Sequence, residues 1–242
     1  MKDKNSLAQL IENSKRIVFF GGAGVSVPSG IPDFRSSGGV YSSDYNNIPP
    51  ETIVSHSFFE RYPADFYKFY KERMVFPNAQ PNAAHIALAK LEQEGKLLSV
   101  VTQNIDGLHQ AAGSKRVWEL HGSVHRNYCT HCGKKFSLDY VLACDGVPTC
   151  DECGAVVRPD VVLYEEQLDM SVLGGAVADI EQCDLLIIGG TSMSVYPAAG
   201  LINYRPANAK LAVINRTPTP ADSAADAVEA GDIAEFFKTI RK

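Results

Sequence analysis

"RIVFFGGAGVS", residues 16–26, is the stretch that decides the fold of this chain. A continuous apolar run is typical of a strand that is buried on both faces, as in a parallel sheet. Here the run ends on Gly21, Gly22 and Gly24, which would let the backbone turn sharply and approach a pyrophosphate. The glycines alone fit a tight turn without a ligand equally well, because the third glycine of the dinucleotide fingerprint is missing from its spacing.

Outward from this turn, predicted strands alternate with predicted helices. The other apolar runs that we predict as buried strands are 97–106, 117–122, 160–166, 184–190 and 210–215. Helices are predicted over 5–14, 83–95, 172–182 and 231–242. This alternation predicts an α/β fold with a Rossmann-like, doubly wound parallel sheet.

Two stretches interrupt the alternation, and we predict that together they form a smaller inserted domain. Residues 36–76 run from a Ser/Gly loop into an aromatic helical segment, and residues 127–155 contain most of the cysteines. The larger domain would then consist of 1–35, 77–126 and 156–242, which is an ordinary size for one domain with an insertion.

Composition and charge exclude some classes of protein. Hydrophobic residues make up 45% of the chain and charged residues 21%, as in ordinary globular proteins. A net charge of −5 argues against a surface dedicated to nucleic acid, but it is compatible with a basic polypeptide substrate. The opening segment lacks the apolar core of a signal peptide, and the apolar runs are far shorter than the roughly 20 residues of a membrane span. We expect a cytoplasmic protein, favoured as a monomer, that binds neither nucleic acid nor membrane.

The cysteines have the spacing of a zinc site. Cys129-x-x-Cys132 and Cys150-x-x-Cys153 are separated by residues 133–149, a spacing that fits a tetrahedral zinc ribbon. Clustered cysteines in a cytoplasmic protein bind metal more often than they form disulfides. Four thiolates close the coordination sphere, so we predict one structural zinc ion and no catalytic metal. His131 and Cys144 are further candidates, which we expect to stay outside the site.

Polar side chains gather at the ends of two predicted strands. "TQNID" contributes Gln103, Asn104 and Asp106, and "ELHG" contributes His121. Ligands of open α/β sheets bind at the carboxyl ends of the strands, where these residues lie. An isolated histidine is more often structural. This one ends a hydrophobic strand opposite Asn104 and Asp106, which favours a functional role.

The motifs "GAGVS", "SGIPDFR", "TQNID", "ELHG", the paired Cys-x-x-Cys, "RPDVV", "GTSMSVYPAA" and "VIN" occur in this order. In this set the chain resembles the sirtuin family of NAD-dependent protein-lysine deacylases, from about residue 6 to 240. It is most similar to the short bacterial sirtuins. The resemblance implies a single catalytic domain over 1–242, NAD as co-substrate, a structural zinc ion and acylated-lysine proteins or peptides as substrates.

The resemblance also implies an NAD site and the residues that form it. Ala23 and Gly24 would cradle the diphosphate, and Phe34 would cover the reacting ribose carbon. His121 would act as general base, and Asn104 is its predicted catalytic partner. The implied NAD contacts are Gly22, Ala23, Gly24, Val27, Asp33, Phe34, Arg35, Tyr41, Gln103, Asn104, Ile105, Asp106, His121, Gly190, Thr191, Ser192, Asn215, Arg216, Asp232 and Ile233.

Implied substrate contacts fall in two groups. Val162, Leu163, Tyr164, Glu165 and Val195 would bind the peptide, and Tyr67 and Tyr70 would lie near the acyl group. Succinyl-selective sirtuins carry an arginine where this chain has Tyr70, so acetyl and other apolar acyl groups (propionyl, butyryl, crotonyl) are expected. Glu165 replaces the usual glycine. It is expected to narrow the groove or to favour basic flanking residues.

Other functions fit parts of the sequence. A protein mono-ADP-ribosyltransferase would use the same NAD pocket, so sequence separates this alternative poorly. A binding protein that only senses NAD or ADP-ribose would be expected to lack His121 or Asn104. A zinc-ribbon nucleic-acid binder is disfavoured by the acidic net charge.

Overall fold

The computed structural model describes residues 6–240 and contains one large parallel sheet. Strands are numbered along the chain, and the large sheet has six of them in the order β3-β2-β1-β7-β8-β9, with every neighbouring pair parallel. Their bounds are β1 (Ile17–Gly21), β2 (Leu97–Thr102), β3 (Val117–Glu119), β7 (Leu185–Gly189), β8 (Lys210–Asn215) and β9 (Ala227–Ala230).

Helices cover both faces of this sheet, which confirms the doubly wound α/β fold. Their bounds are α1 (Leu7–Asn13), α5 (Ala83–Gln93), α6 (Leu108–Ala111), α8 (Met170–Ile180) and α9 (Ile233–Thr239). Consecutive residues of β1 point to opposite faces. Phe19 therefore packs in a core with α1, α5 and α9, whereas Phe20 packs in another with α8. Helices α1, α5, α8 and α9 match the four predicted ones, except that residue 5 and residues 241–242 of the predictions lie outside the described range, and α6 was not predicted.

A smaller antiparallel sheet stands apart from the parallel one. It has the order β5-β4-β6, with β4 (Gly122–Cys129), β5 (Lys135–Phe136) and β6 (Val157–Val161). The adjoining helices are α2 (Pro50–Ile53), α3 (His56–Arg61), α4 (Pro63–Arg73) and α7 (Leu138–Ala143). Aromatic residues of α4 share one hydrophobic core with Phe136 and Val157 of the small sheet. The helical segment and the cysteine segment are therefore packed together.

The prediction of a parallel-sheet strand over 160–166 was wrong. The strand is β6, Val157–Val161, and it pairs antiparallel with β4 in the small sheet. Burial alternates residue by residue along β6, as in a sheet with one covered face, rather than running unbroken as in β1. The predicted strand 117–122 also ends early, at Glu119, and Gly122 already belongs to β4. The short edge strand β9 was not predicted.

The proposed division into two domains stays a prediction. Residues 122–126 and 157–161, which we assigned to the larger domain, pair within the small sheet. No helix within residues 6–240 has the length and apolar character required to cross a bilayer.

Candidate active site

A cleft of about 780 Å³ lies at the carboxyl ends of the parallel strands, and Val161 of the small sheet and Val54, which precedes α3, also line it. Most residues that the sequence singled out line this cleft. From the NAD set these are Gly22, Ala23, Gly24, Val27, Asp33, Phe34, Arg35, Tyr41, Gln103, Asn104, Ile105, His121, Gly190, Thr191, Ser192, Asn215, Arg216 and Ile233; from the peptide set they are Val162, Leu163, Tyr164, Glu165 and Val195.

Two glycine turns meet on one side of the cleft. The Gly24 N–H donates to the Gly190 carbonyl at 2.8 Å. A Cβ on Gly24 would lie 2.8 Å from Gly190 Cα, and a Cβ on Gly190 would lie 2.4 Å from the Val25 nitrogen. Gly190 also has a φ of +59°, which disfavours other residues. This close approach leaves backbone rather than side chains at the wall, the surface expected for a diphosphate.

His121 enters the cleft just after β3 ends. Its Nδ1 lies 2.9 Å from the Gln103 carbonyl oxygen, which can only accept, so Nδ1 carries the proton and Nε2 has a free lone pair. Burial lowers the pKa of His121, and the hydrogen bond to Gln103 opposes this shift only in part. The imidazole is therefore neutral at pH 7 and suited to accept a proton.

A chain of hydrogen bonds fixes the neighbouring amide and carboxyl groups. Asn104, only 7% exposed, donates from Nδ2 to Ser26 Oγ at 3.0 Å. Ser26 Oγ donates in turn to Asp106 Oδ2 at 2.6 Å, while the Leu108 N–H donates to Asp106 Oδ1 at 2.9 Å. Ser26 therefore holds two predicted site residues in place. It lies within "GAGVS" but was not itself predicted as a site residue.

Asp106 lies outside the main cleft. With Ala23, Phe34, Asn104 and Ile105 it lines a small adjoining recess of about 30 Å³. Burial raises the pKa of Asp106, while its hydrogen bonds oppose the shift. The recess therefore brings Asp106 together with Asn104 and Ile105, two other residues of the implied NAD set.

Asp232 also lies outside the cleft lining. Its Oδ1 caps α9 by accepting from the Ala234 N–H at 2.8 Å, and its Oδ2 pairs with Arg216 at 2.5 Å. These donors lower the pKa of Asp232 against the effect of its burial. Asp232 therefore orients Arg216, which does line the cleft.

Tyr67 and Tyr70 are not brought to the cleft. Both are fully buried in the core beneath the small sheet, and the Tyr67 hydroxyl donates to the Val157 carbonyl. The Tyr70 hydroxyl has no partner among the described residues. Their predicted position near an acyl group has no support in this arrangement; they pack the core behind the cleft wall.

The four predicted zinc ligands converge. The sulfur atoms of Cys129, Cys132, Cys150 and Cys153 all lie within 4.8 Å of one another. Three of the sulfur pairs are Cys129–Cys153 at 3.4 Å, Cys132–Cys150 at 3.6 Å and Cys132–Cys153 at 3.7 Å. A tetrahedral zinc ion with Zn–S bonds of about 2.3 Å sets its ligands about 3.8 Å apart, so the cluster fits one zinc ion with no open coordination position. His131 and Cys144 are not part of this cluster.

The wall formed by residues 162–166 is fastened by Glu166, which we had not singled out. Glu166 accepts two hydrogen bonds from Arg158, at 2.7 and 3.0 Å, and one from the Leu163 N–H at 2.9 Å. His56 Nδ1 lies 2.8 Å from the same carboxylate. In the sequence, Glu166 is visible only as the second acid of "YEE". Its partners His56 and Arg158 belong to α3 and β6, so the sequence did not indicate these contacts.

Comparison with known proteins gives consistent matches. The chain is 59% identical over 230 residues to the NAD-dependent protein deacetylase of Clostridium perfringens, covering 94% of each chain. It is similar to a solved Sir2 complex with p53 peptide and NAD+, with a TM-score of 0.84, 42% identity and coverage of 96% and 94%. It is also similar to Sir2Tm bound to a propionylated peptide, with a TM-score of 0.83, 41% identity and the same coverage. The family model "Sir2 family" matches residues 22–197. The chain therefore belongs to the Sir2 family.

Proposed function

We propose that this protein is an NAD-dependent protein-lysine deacetylase that transfers the acetyl group to ADP-ribose and releases nicotinamide. The observation that carries the proposal is His121: a neutral imidazole with a free Nε2, in the same cleft as the two glycine turns. The deacetylase name of the Clostridium perfringens relative supports this reading.

In the proposed reaction the acetyl-lysine oxygen attacks the ribose carbon as nicotinamide leaves, giving an alkylimidate. Phe34 lines both the cleft and the recess, where it would cover the reacting carbon. His121 Nε2 then accepts the proton of a ribose hydroxyl, whose oxygen attacks the imidate carbon. Water completes the reaction, so the products are lysine, nicotinamide and O-acetyl-ADP-ribose. A base with a pKa near or below 7 suits this step because it is unprotonated at neutral pH.

We also propose that apolar acyl groups are preferred. Succinyl-selective sirtuins carry an arginine at the sequence position of Tyr70, which in this chain is buried behind the cleft wall, so this position supplies no cation to the cleft. A buried carboxylate without a cation is costly. The similarity to Sir2Tm bound to a propionylated peptide supports a pocket that accepts more than acetyl. The cytoplasmic location and the monomeric state remain predictions.

The test is nicotinamide release with and without an acetyl-lysine peptide, followed by mass spectrometry of the products. We expect release that depends on the peptide, with a matched succinyl-lysine peptide at least about 100-fold slower. His121→Ala should lose at least about 100-fold in kcat while retaining its melting temperature. Nicotinamide release without peptide, accompanied by ADP-ribosylated protein, would instead favour the mono-ADP-ribosyltransferase alternative.

A further inference from the structure

The cleft wall at 162–166 is fastened on two sides. The Val162 N–H donates to the His121 carbonyl at 3.0 Å, which links this segment to the proposed base. On its far side, the Tyr164 N–H donates to the Val54 carbonyl and the Tyr164 carbonyl accepts from the His56 N–H, both at 3.0 Å. The position of this wall therefore depends on the segment that precedes and begins α3.

Glu165 has a backbone conformation that a glutamate rarely adopts. Its φ is +77°, in the left-handed region. An observed outlier of this kind persists only where surrounding contacts hold it. The Glu165 carboxylate supplies them: Oε2 accepts from the Ser57 N–H at 2.9 Å and Oε1 accepts from the Ser57 hydroxyl at 3.0 Å.

This tether differs from that of the next residue. Glu166 faces Arg158, a cation that neutralises it, and its side chain is only 18% exposed. Glu165 is exposed, and both of its bonds come from neutral donors on the first turn of α3. The two hydrogen bonds from Ser57 therefore hold the Glu165 backbone in place, and the carboxylate forms no ion pair with Ser57.

The tethered segment still has unused backbone groups. Within residues 6–240, the Val162 carbonyl and the Glu165 N–H take part in no hydrogen bond, and both residues line the cleft. Such groups can pair with an extended peptide, as in strand addition. An edge that is already held in one conformation binds such a peptide without the cost of ordering it first.

We propose that Glu165 is a positioning residue for the substrate peptide: its tether to Ser57 holds the 162–166 edge ready for pairing. This inference rests on the proposed function, because it assumes an acyl-lysine peptide in the cleft. The contribution of Glu165 is conformational, rather than the narrowing of the groove or the attraction of basic residues expected from the sequence.

Three substitutions separate conformation from charge. Glu165→Ala removes the tether but keeps the strain of a side chain at positive φ. It should raise the KM for an acetyl-lysine peptide about tenfold, with kcat and the KM for NAD within about twofold. Glu165→Gly removes the tether and the strain together, so its KM should rise less, about threefold. Glu165→Gln keeps one acceptor oxygen for the Ser57 N–H, and its NH2 can donate to the Ser57 hydroxyl oxygen, so it should change the KM by less than about twofold.

Asn46→Gly is the matched control. Asn46 is also exposed with a positive φ, +51°, but it does not line the cleft. This substitution tests whether glycine at a left-handed position alters activity in general. We expect it to leave the peptide KM unchanged.

Two readouts do not depend on turnover. Backbone amides of 162–166 should exchange hydrogen faster in Glu165→Ala than in the unaltered protein. Binding of a labelled acetyl-lysine peptide, measured by fluorescence anisotropy, should weaken in parallel with the KM. Failure of the unaltered protein to bind any acetyl-lysine peptide would overturn the proposed function and this inference with it.

Normal peptide binding with unchanged values in Glu165→Ala and Glu165→Gly would overturn this inference alone. A charge role has another signature: Glu165→Gln would weaken binding as much as Glu165→Ala, and only for peptides with lysine rather than glutamate flanks. That result would also overturn the conformational role.

Discussion

At the scale of single residues, His121 sets the pH dependence. Burial lowers its pKa below the ordinary value near 6.5, and the base form is the active one. The value of kcat/KM should therefore be flat through neutral pH and fall only as the pH drops through this lowered pKa. A pH–rate profile on a neutral acetyl-peptide measures it, and an acid limb centred above pH 7 would contradict this placement of the imidazole.

Gly24 sets how closely the two glycine turns approach. A Cβ at this position would meet Gly190 Cα and its carbonyl oxygen, both at 2.8 Å, and backbone atoms cannot rotate away. Gly24→Ala should push the turns apart and raise the KM for NAD at least about tenfold, with little change in peptide binding. Gly30→Ala is a useful comparison, since nothing lies within 4 Å of its Cβ; its φ of +85° should cost stability but not NAD affinity.

At the scale of elements, α4 contains two buried tyrosines whose replacement by phenylalanine should affect stability differently. The Tyr67 hydroxyl donates to the Val157 carbonyl, so Tyr67→Phe should lower the free energy of unfolding by about 1–2 kcal/mol. The Tyr70 hydroxyl has no partner among the described residues, so Tyr70→Phe should be neutral or stabilise by up to about 1 kcal/mol. Urea denaturation measures both. A fall in the free energy of unfolding for Tyr70→Phe would contradict this expectation and would indicate that a buried water binds the Tyr70 hydroxyl.

The segment that carries the four zinc ligands, residues 129–153, has a predicted structural role that can be tested. Four thiolates leave no open coordination position, so the zinc ion should stabilise the small sheet and take no part in the reaction. Cys150→Ser should abolish stoichiometric zinc, and activity should fall with the loss of local structure. Cys144→Ser should retain about one zinc per chain, because Cys144 lies outside the cluster. The zinc content of both variants measures this, and loss of zinc in Cys144→Ser would refute the assignment of the four ligands.

At the scale of the whole molecule, the cleft joins parts that pack in separate cores. The Gly22 and Gly190 turns belong to the parallel sheet, whereas the 162–166 wall leans on α3 and on Arg158 of β6. A ligand that contacts both parts binds the folded state and not the unfolded one. ADP-ribose at about 100 times its Kd should therefore stabilise the fold by about 2.7 kcal/mol, a rise in Tm of several degrees. Thermal unfolding measures this. An unchanged Tm would argue against a cleft that binds this ligand.

The sequence alone determined the parallel sheet and most of the site. Unbroken apolar runs mark strands buried on both faces, and the carboxyl ends of parallel strands meet at one edge. Asn104 and His121, distant in the chain, were therefore predicted to share a cleft, and both line it. The zinc cluster was equally predictable, because two Cys-x-x-Cys pairs already have the local geometry of a closed site.

Only the tertiary structure decided how the small part is built. Residues 160–166 were predicted as one more strand of the parallel sheet, yet the strand there is β6, Val157–Val161, and it pairs antiparallel with β4. Strand partners depend on long-range packing rather than on local pattern. Tyr67 and Tyr70 are buried behind the wall instead of lining it. The backbone of Glu165 depends on Ser57, more than 100 residues away in the chain. A hydrogen bond between distant segments leaves no periodic signal in the sequence, so this contact is seen only in the folded structure.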